Sequence, residues 1–513
     1  MIDLVRNISR LLVIARTLAR HDALFLMEKL PVAGILALGA RLVSRRNVAG
    51  RPGERLARAL EELGPSFIKL GQALSTRPDL VGEDVAKDLT GLQDRLPPFS
   101  AAQARETVAE ELGRPVEDLF AEFESTPVAA ASIAQVHFAV TAEGRPVAVK
   151  ILRPGVEGKI RRDLDLAYWL AGLIERTQPA WRRLKPRETV EIFDNTVTIE
   201  MDLRFEAAAA QELAENFMDD PGFHVPDVDW QRTNQRVLTL ERVHGIPIGE
   251  RDSLLQAGHD PREVVRRSAE VFFKQVFRDG FFHADMHPGN LFIRDDGAIV
   301  AVDFGIMGRV DRRTQRYLGE MLLAFLQRDY KRVAEVHFRA GYVPADRDIH
   351  AFTQACRSIA EPILGKPLHE ISIARLLGQL FQVTETFGME AQPHLLLLQK
   401  SMLLTEGVGR ILDPDVNMWD LSRPLVEEWT IEALGPVGRM KEAGGEARET
   451  LQHIPTLARH AGKAAEMLGR GGIQLHPDTL ESLTQGRRNG PMTRVLWLIA
   501  GLLAVLVVLE VAG

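Results

Sequence analysis

The strongest constraint on the fold is the run FFHADMHPGNLFIRDDGAIVAVDFG at residues 281–305. Two short apolar runs flank the turn sequence RDDG, and this pattern predicts a β-hairpin. The hairpin follows a loop that contains Asp and Asn, and it leads into an Asp-Phe-Gly sequence. A lone Asp or a lone Asp-Phe-Gly arises often by chance as a turn or capping residue, so the order and the spacing carry the information.

Three side chains in this run fit the chemistry of phosphoryl transfer. Such a site needs an acidic group near the attacking oxygen, and oxygen ligands for a magnesium ion that bridges the nucleotide phosphates. Asp285 can orient or deprotonate an attacking hydroxyl or water, while Asn290 and Asp303 can ligate the metal. Asp285 precedes Asn290 by five positions, which is the spacing in the protein-kinase catalytic loop.

A lysine ends the predicted buried strand PVAVK at residues 146–150. It matches the strand-borne lysine that reaches nucleotide phosphates in kinases. A lysine at a strand end is usually a solvated charge, but Lys150 lies upstream of a full set of catalytic and metal-binding candidates. A lysine in a cleft also needs a carboxylate partner. The segment EMDLRFEA offers Glu200, Asp202 and Glu206 as candidates, and they remain alternatives at this point.

The segment before this strand lacks the glycine-rich loop of an ordinary kinase. Residues 127–137 read PVAAASIAQVH, and each Cβ restricts the positive-φ backbone geometry that glycine allows. We therefore expect a different geometry around the phosphates. The nucleotide-binding candidates in this loop are Ala129, Ala130, Ala131 and Ser132.

Composition excludes several classes of protein. With 45% hydrophobic and 26% charged residues among 513, the chain is an ordinary globular protein of two or more structural units. A net charge of −7 gives no basic field, so we expect no nucleic-acid partner. The single Cys356, expected to be buried, cannot form an intramolecular disulfide. A zinc site at His283 and His287 is rejected, because Pro288 and Gly289 break the helix that would present both rings together.

Both ends of the chain carry candidate membrane segments. Residues 1–20 spread four arginines among Leu, Val and Ile, so this amphipathic end either lies on an anionic membrane surface or packs on the body. Residues 495–509 read VLWLIAGLLAVLVVL and predict a single-pass anchor, with an in-plane or partner-bound helix as the alternative. Arg487, Arg488 and Arg494 precede it, so we expect the rest of the chain on the cytoplasmic side of the inner membrane.

Changes in periodicity predict an α+β protein of two lobes with additions at both ends. A smaller mixed lobe contains β-type runs and a long helical insert, and a larger, mainly helical lobe follows. The predicted segments are an amphipathic region at 1–49, a helical extension at 50–126, the smaller lobe at 127–243, the larger lobe at 244–420, a helical region without functional interpretation at 421–490 and the transmembrane anchor at 491–513.

Several motifs together resemble the UbiB family of atypical, kinase-like proteins. They are AAASIAQVH, the lysine strand VAVK, the HADMHPGN and DFG sequences, and KLGQ within FIKLGQALSTRPDL. The resemblance covers roughly residues 50–420. It implies a two-lobed protein-kinase-like fold with ATP and Mg²⁺ between the lobes. Bacterial members of the family are also expected to carry two hydrophobic spans, whereas one clear span is evident here.

The resemblance assigns roles that the residues alone do not. It implies that Lys69 and Gln72 of the KxGQ element fold back over the nucleotide cleft. Glu200 and Asp202 of the ExD element would then face them. From periodicity alone, FIKLGQAL is an ordinary amphipathic helix with Lys69 as a solvated charge. The resemblance further implies that this cover blocks peptide substrates.

Glu206 is then left to pair with Lys150 at the nucleotide. The implied activity is ATP hydrolysis or phosphorylation of a small molecule, in support of ubiquinone biosynthesis. The expected partners are ATP, membrane lipids, a polyprenyl phenolic lipid or ubiquinone precursor, and enzymes of ubiquinone biosynthesis. Two alternatives stay open: a non-catalytic module whose nucleotide controls a lipid-handling or scaffolding surface, and a conventional protein kinase. An intact Asp285 favours turnover, because a pure binding protein does not require that carboxylate.

Overall fold

The computed structural model describes residues 2–25, 48–75, 81–89, 92, 96–177, 185–364, 366, 373–389 and 393–434. The chain divides after Ile431 into two compact units, and the elements given below lie in the first, apart from the last three residues of the final helix. In this described part of the chain, no helix is both long and apolar enough to cross a bilayer. The predicted anchor at 491–513 lies outside the described residues.

In the described residues, six helices precede the first sheet. The first of them packs on the second and buries Leu11, Ala15 and Leu18, so one face of this amphipathic end packs on the body. Its outer face exposes Ile8 and Leu12, and contact of that face with a membrane stays a prediction. The six helices are α1 Ile2–Arg20, α2 Pro52–Leu63, α3 Pro65–Ser75, α4 Glu83–Leu89, α5 Ala101–Leu112 and α6 Val116–Leu119.

The first sheet is antiparallel, with the strand order β1-β3-β4-β6 and with β2 also paired to β3. Along β4 the side chains alternate between the two faces of the sheet. Val147, Val149 and Ile151 are buried in the core, and Lys150 therefore lies on the opposite face. The strands are β1 Phe120–Phe123, β2 Ala129–Ala130, β3 Ala134–Thr141, β4 Pro146–Leu152, β5 Phe223–His224, which belongs to another sheet, and β6 Val237–Glu241.

Strand β1 falls inside the segment 50–126 that the sequence predicts to be helical. It pairs with β3, with an irregular register after Phe120. Phe120 is buried together with Val116 and Leu119 in the core beneath the sheet. A strand of four residues is too short to establish a period of two, so the helical pattern on its N-terminal side concealed it.

Between β4 and β6 the described residues form three helices, and the predicted helical insert is confirmed. Their apolar faces bury Ile160, Leu164, Leu203 and Leu213 in the main core. The third begins at Asp202, whose carboxylate accepts a hydrogen bond from a main-chain N–H of the first turn. The three helices are α7 Val156–Thr177, α8 Pro186–Glu200 and α9 Leu203–Asn216.

Asp163 on α7 ties the N-terminal helices to this insert. Arg10 Nε donates to Asp163 Oδ1 at 2.8 Å, and Ser66 Oγ donates to Oδ2 at 2.7 Å. The Asp163 side chain is mostly shielded from solvent, where charge-assisted hydrogen bonds are stronger than on an open surface. One carboxylate therefore holds α1 and the start of α3 against α7.

The predicted hairpin of the second half is confirmed. Two short strands pair antiparallel, and Gly297 adopts φ of 80° in the turn between them, where a residue with a Cβ is disfavoured. A four-stranded sheet has the order β5-β10-β9-β7, and β8 pairs with β11. These strands are β7 Ile246–Pro247, β8 Phe281–His283, β9 Leu291–Ile293, β10 Ile299–Ala301 and β11 Met307–Arg309.

The rest of this half is helical, as predicted. One long apolar helix packs Leu398 against Val276 and Phe282 beneath β8. A π-helical turn, Lys274–Asp279, precedes that strand. The helices are α10 Arg251–Gln256, α11 Pro261–Phe273, α12 Arg312–Leu326, α13 Tyr330–Ala340, α14 Ile349–Ala360, α15 Ile373–Phe387, α16 Pro393–Leu412 and α17 Met418–Leu434.

Cys356 is buried on α14 among Val333, Phe352 and Phe387, which confirms its predicted position. Burial raises the pKa of the thiol to about 12. Because the thiolate is the reactive species, we expect Cys356 to react with a thiol reagent at least about 100-fold more slowly than free cysteine at pH 8. Labelling should become complete in denaturant. Rapid stoichiometric labelling of the native protein would contradict this burial.

Candidate active site

Lys150 is the meeting point of three elements of the fold. Its Nζ donates to Glu206 Oε1 at 2.7 Å and to Oε2 at 2.9 Å, and to Asp303 Oδ1 at 2.8 Å. Strand β4, helix α9 and the Asp-Phe-Gly segment therefore converge on one ammonium group. The ion pair between Lys150 and Glu206 that the family resemblance implies is present. The roles of these residues toward a nucleotide stay predictions.

Two carboxylates share this single ammonium, and their proton affinities differ. Burial opposes the charge on Lys150, yet its pKa is raised because Asp303 and Glu206 face it. The ammonium of Lys150 holds the pKa of Asp303 well below its usual range, and Lys69 adds to this effect. Burial raises the pKa of Glu206 to about 7, an increase that Lys150 only partly offsets and that Asp303 reinforces. Lys150 and Asp303 therefore stay charged at neutral pH, whereas Glu206 titrates there.

We expect Glu206 to make the free energy of unfolding depend on pH between about 4.5 and about 7. Because its pKa is higher in the folded protein than in an unfolded chain, the folded state binds more protons in this window, and the free energy of unfolding falls as pH rises. Between pH 5 and 7.5 the free energy of unfolding of the wild type should fall by roughly 1–3 kcal/mol more than that of Glu206→Gln. Urea unfolding at both pH values measures this difference. Equal changes in the two proteins would contradict the raised pKa.

Asp303 has an unusual backbone that aims its carboxylate into the cleft. Its φ of 65° lies in the left-handed region, which Asp and Asn occupy more readily than other residues with a side chain. The next residue, Phe304, is buried and contacts the ring of His283 edge to face. Half of the Asp303 side chain surface remains accessible. The buried ring therefore anchors the segment while the carboxylate stays open to a ligand.

His283 links the predicted catalytic loop, residues 285–290, to the segment before Asp303. Its main-chain N–H donates to Gln275 Oε1 at 2.8 Å, and its ring Nδ1 accepts from the Asp285 N–H at 3.1 Å. Ring Nε2 lies 3.4 Å from the Val302 carbonyl oxygen. Burial lowers the pKa of the imidazole, so the neutral ring with its proton on Nε2 fits these partners. His283 therefore packs and hydrogen-bonds to brace this loop.

Asn290 is oriented in a way that suits a metal ligand. Its Nδ2 donates to the Asp285 carbonyl oxygen at 3.1 Å, so the amide orientation is set by its nitrogen and Oδ1 remains the oxygen that could accept a metal. The other histidine of the loop, His287, accepts a hydrogen bond from the Gly289 N–H at 3.1 Å. Among the residues that the structure describes, no group of three His, Cys, Asp or Glu side chains is placed to hold a metal. Magnesium bound by Asn290 and Asp303 would therefore need phosphate and water oxygens, which it commonly takes.

Sequence reasoning missed one residue of the site. Lys400 Nζ lies 2.8 Å from Asp285 Oδ1, and both side chains are about one-third exposed. Lys400 comes from α16, more than a hundred positions downstream of the catalytic loop. The available signal was the one charged residue in the run LLLLQKSMLL. A solvated charge is the usual reading of such a lysine, so its partner could not be chosen from the sequence.

The KxGQ helix α3 reaches the cleft. Lys69 Nζ lies 2.9 Å from Glu200 Oε2, and both side chains are largely buried. Lys69 is also close enough to Asp303 to lower the pKa of that carboxyl. The expectation of a solvated Lys69, taken from periodicity alone, is therefore wrong, and its predicted pairing with the ExD element is present through Glu200. Asp202 caps α9 and accepts from Arg204 Nη2 at 2.6 Å, while Gln72 is half-buried on α3.

The alanine-rich loop forms a tight turn between β2 and β3. The Ala131 N–H donates to the Ala134 carbonyl oxygen at 2.7 Å. Arg153 donates to the Ala131 carbonyl oxygen and to main-chain oxygens of residues 96–97, which lie within the segment 50–126. Ser132 is fully buried and Ala129 is exposed. Nucleotide contacts of this loop, including those of the half-buried Ala130, stay predictions.

Two other residues of the alanine-rich motif brace the sheet. Gln135 Oε1 accepts from the Phe99 N–H at 3.0 Å, and its Nε2 lies 2.7 Å from His137 Nε2. His137 Nδ1 lies 2.7 Å from the Glu124 carbonyl oxygen. Both side chains are buried. They therefore tie β3 to the segments that flank the first sheet.

Comparisons with known proteins agree with this geometry. Residues 91–337 match the ABC1 atypical kinase-like domain, and residues 356–417 match the UbiB helical domain. A Marinobacter nauticus protein named "Probable protein kinase UbiB" is 46% identical over 409 residues, which cover 79% of this chain and 75% of that protein. The chain belongs to the UbiB family.

Other UbiB relatives match more of the chain. An Azotobacter vinelandii protein of the same name is 42% identical over 474 residues, covering 90% of this chain and 87% of that protein. A Pseudomonas aeruginosa protein of that name is 41% identical over 488 residues, covering 93% and 88%. Among solved structures, Mycobacterium tuberculosis Rv3197 in its complex with erythromycin gives a TM-score of 0.52 at 26% identity, covering 77% of this chain and 97% of that one. The kinase-like fold with mixed helices and sheets is confirmed.

Both domains of the UbiB chain contribute residues to the candidate site. Lys150, Asp285 and Asp303 lie in the part that matches the kinase-like domain, whereas Lys400 lies in the UbiB helical domain. The predicted larger lobe at 244–420 spans parts of both matches, and the predicted domain boundaries stay predictions.

Proposed function

We propose that this UbiB chain is a magnesium- and ATP-dependent atypical kinase or ATPase. The observation that carries the proposal is the convergence of Glu206 and Asp303 on Lys150, in a cleft that also contains the catalytic-loop residues Asp285 and Asn290. Phosphoryl transfer depends mainly on positioning and charge neutralisation, and this set of side chains suits both tasks.

Each side chain has a task that its surroundings support. Lys150 is held by Glu206 in place to contact the nucleotide phosphates, and it would exchange Asp303 for them. Asp303 and Asn290 would hold the metal through carboxylate and amide oxygens. Asp285 would orient or deprotonate the attacking hydroxyl or water. Bound Mg²⁺–ATP supplies the transferable phosphoryl group and the cation that neutralises its charge.

The acceptor in this proposal is water or a small molecule rather than a protein. The pairing of Lys69 with Glu200 supports this, because it sets the KxGQ helix α3 at the cleft, where it would obstruct a peptide. The names of the relatives support a role in ubiquinone biosynthesis, with a polyprenyl phenolic lipid or another ubiquinone precursor as the candidate acceptor and with enzymes of that pathway as candidate partners. We also propose location at the inner membrane through the hydrophobic segment at 495–509.

A second function is favoured by the same ion pairs. Without nucleotide, carboxylates of the protein already satisfy both Lys150 and Lys69. Nucleotide binding would exchange these pairs and release the cover, which is how a nucleotide-controlled lipid-binding or scaffold protein would switch. The intact Asp285 favours the enzyme over this binding module.

The fate of a labelled phosphoryl group tests the proposed function. Full-length protein is incubated with γ-labelled ATP, liposomes, a phenolic ubiquinone-precursor mimic and a generic protein substrate. We expect label in inorganic phosphate or in the small molecule, and only when magnesium is present. Label transferred mainly to protein would favour a conventional protein kinase. Nucleotide binding without release of label under any condition would favour the binding module.

A further inference from the structure

We infer that Lys400 is a positioning residue, contributed by the UbiB helical domain, that sets the orientation of the Asp285 carboxylate for phosphoryl transfer. The inference rests on the proposed function, because it concerns the group that meets the attacking oxygen. Lys400 Nζ lies 2.8 Å from Asp285 Oδ1. The kinase-like domain at residues 91–337 then lacks part of its active site unless residues 356–417 are present.

The main chain of Asp285 is fixed without Lys400. Its N–H donates to His283, and its carbonyl oxygen accepts from Asn290 Nδ2 at 3.1 Å and from the His287 N–H at 2.7 Å. These contacts leave the two side-chain dihedrals of Asp285 unset. The ion pair with Lys400 sets them, because it draws Oδ1 toward the ammonium. Because the two oxygens of a carboxylate have a fixed geometry, the same contact also sets the direction of Oδ2.

The helix that carries Lys400 is a rigid support. Leu398 packs with Val276 and Phe282 in the core directly beneath β8, the strand that leads into the catalytic loop. Ser401 is fully buried, and its Oγ donates to a main-chain oxygen one turn earlier at 2.9 Å. Residues on both sides of Lys400 are therefore locked in the core. An ammonium on such a support can hold a carboxylate within a narrow range of positions.

The balance of charge in the cleft gives Lys400 a second effect. Among the described residues of the site, three ammonium groups pair with three carboxylates and with Glu206, which titrates near neutral pH, so the site has no surplus of positive charge before ATP brings its phosphates. Loss of one ammonium leaves an unbalanced carboxylate beside those phosphates, and like charges repel. Nucleotide affinity should therefore fall together with the rate of transfer. The pairs are Lys150 with Glu206 and Asp303, Lys69 with Glu200, and Lys400 with Asp285.

The pair contributes little to folding, which makes the inference testable. Both side chains are about one-third exposed, and ion pairs in contact with solvent stabilise a fold only slightly. We therefore expect Lys400→Gln to fold as the wild type does. Lys400→Met removes the same charge with a different side chain, and it replaces Lys400→Gln in the test if the glutamine variant fails to fold.

The experiment compares the full-length wild type with Lys400→Gln and with the control Arg410→Gln. Arg410 lies on the same helix and pairs with Glu406, so the control also removes one positive charge from α16. Loss of positioning should lower kcat of Lys400→Gln by about 10- to 100-fold and weaken binding of Mg²⁺–ATP. The control should keep both quantities near those of the wild type, and Lys400→Arg, which keeps the charge, should recover part of kcat.

A double substitution separates positioning from a structural role. If Lys400 acts through Asp285, Lys400→Gln should cause no further loss of kcat or of Mg²⁺–ATP affinity in the Asp285→Asn background. A structural defect would lower both quantities equally in either background. A kcat of Lys400→Gln equal to that of the control, or above that of the wild type, would overturn the inference while the proposed function stands.

Absence of turnover in the wild type would instead overturn the proposed function. The inference would then be decided by Mg²⁺–ATP affinity alone, measured by calorimetry for the wild type, the two single variants and the double variant. If the effects of the two substitutions on affinity are not additive, Lys400 remains the residue that positions Asp285. Additive effects of the two substitutions on affinity would overturn the inference.

Discussion

Asp285→Asn is expected to lower magnesium-dependent ATP turnover by about 10²- to 10⁴-fold while leaving nucleotide binding intact. The amide has the size of the carboxylate, and its oxygen can still accept from Lys400, so the loop should keep its structure. The main-chain hydrogen bonds to His283 and Asn290 do not involve the substituted atoms. What is lost is a negatively charged group that can accept a proton from the attacking hydroxyl or water. Single-turnover kinetics and calorimetric titration with Mg²⁺–ATP measure the two quantities.

The matched control is Asp295→Asn. Asp295 is exposed in the turn of the hairpin that follows the catalytic loop, so the same chemical change should leave turnover near the wild-type value. Equal turnover in the two variants would remove Asp285 from the mechanism. Survival of cellular function in Asp285→Asn would favour the non-catalytic binding module.

Asp303→Asn is expected to abolish the dependence of nucleotide binding on magnesium and to lower turnover by at least about 100-fold. An amide is a weaker ligand for magnesium than a carboxylate. The substitution also removes the negative charge that pairs with the ammonium of Lys150. The substitution is informative because Asn tolerates the φ of 65° at this position at least as well as Asp does. Loss of function therefore reports on the carboxylate and not on the backbone.

Calorimetry with ATP in the presence of magnesium and in the presence of a chelator measures this effect. The wild type should bind more tightly with magnesium than with chelator, whereas Asp303→Asn should bind equally in both. Because Asp303 also raises the pKa of Glu206, the variant should shift the titration of Glu206 to lower pH. An unchanged magnesium dependence would place the metal ligands elsewhere.

Much of the fold followed from local patterns in the sequence. The hairpin at residues 291–301 combines apolar runs with a turn glycine at positive φ, and such local features are visible in a sequence. The helical insert between β4 and β6 was long enough for its period to show. Strand β1 was missed because four residues carry too little periodicity and a helix lies directly before it.

The candidate site was predictable where its members are close in sequence, and less so elsewhere. Asp285, Asn290 and Asp303 lie within one motif, and spacing alone grouped them. The partner of Lys150 required the family resemblance, because three carboxylates fall within seven residues of EMDLRFEA. Lys400 required the structure, because only tertiary packing brings α16 beneath the catalytic loop.

Release of phosphate from ATP by the full-length wild type, with and without magnesium and in the presence of liposomes, tests the central claim most directly. We expect release that requires magnesium and that is lost in Asp285→Asn. Tight binding of nucleotide without any release, with or without liposomes and a phenolic acceptor, would contradict the claim and leave the nucleotide-controlled binding module as the function.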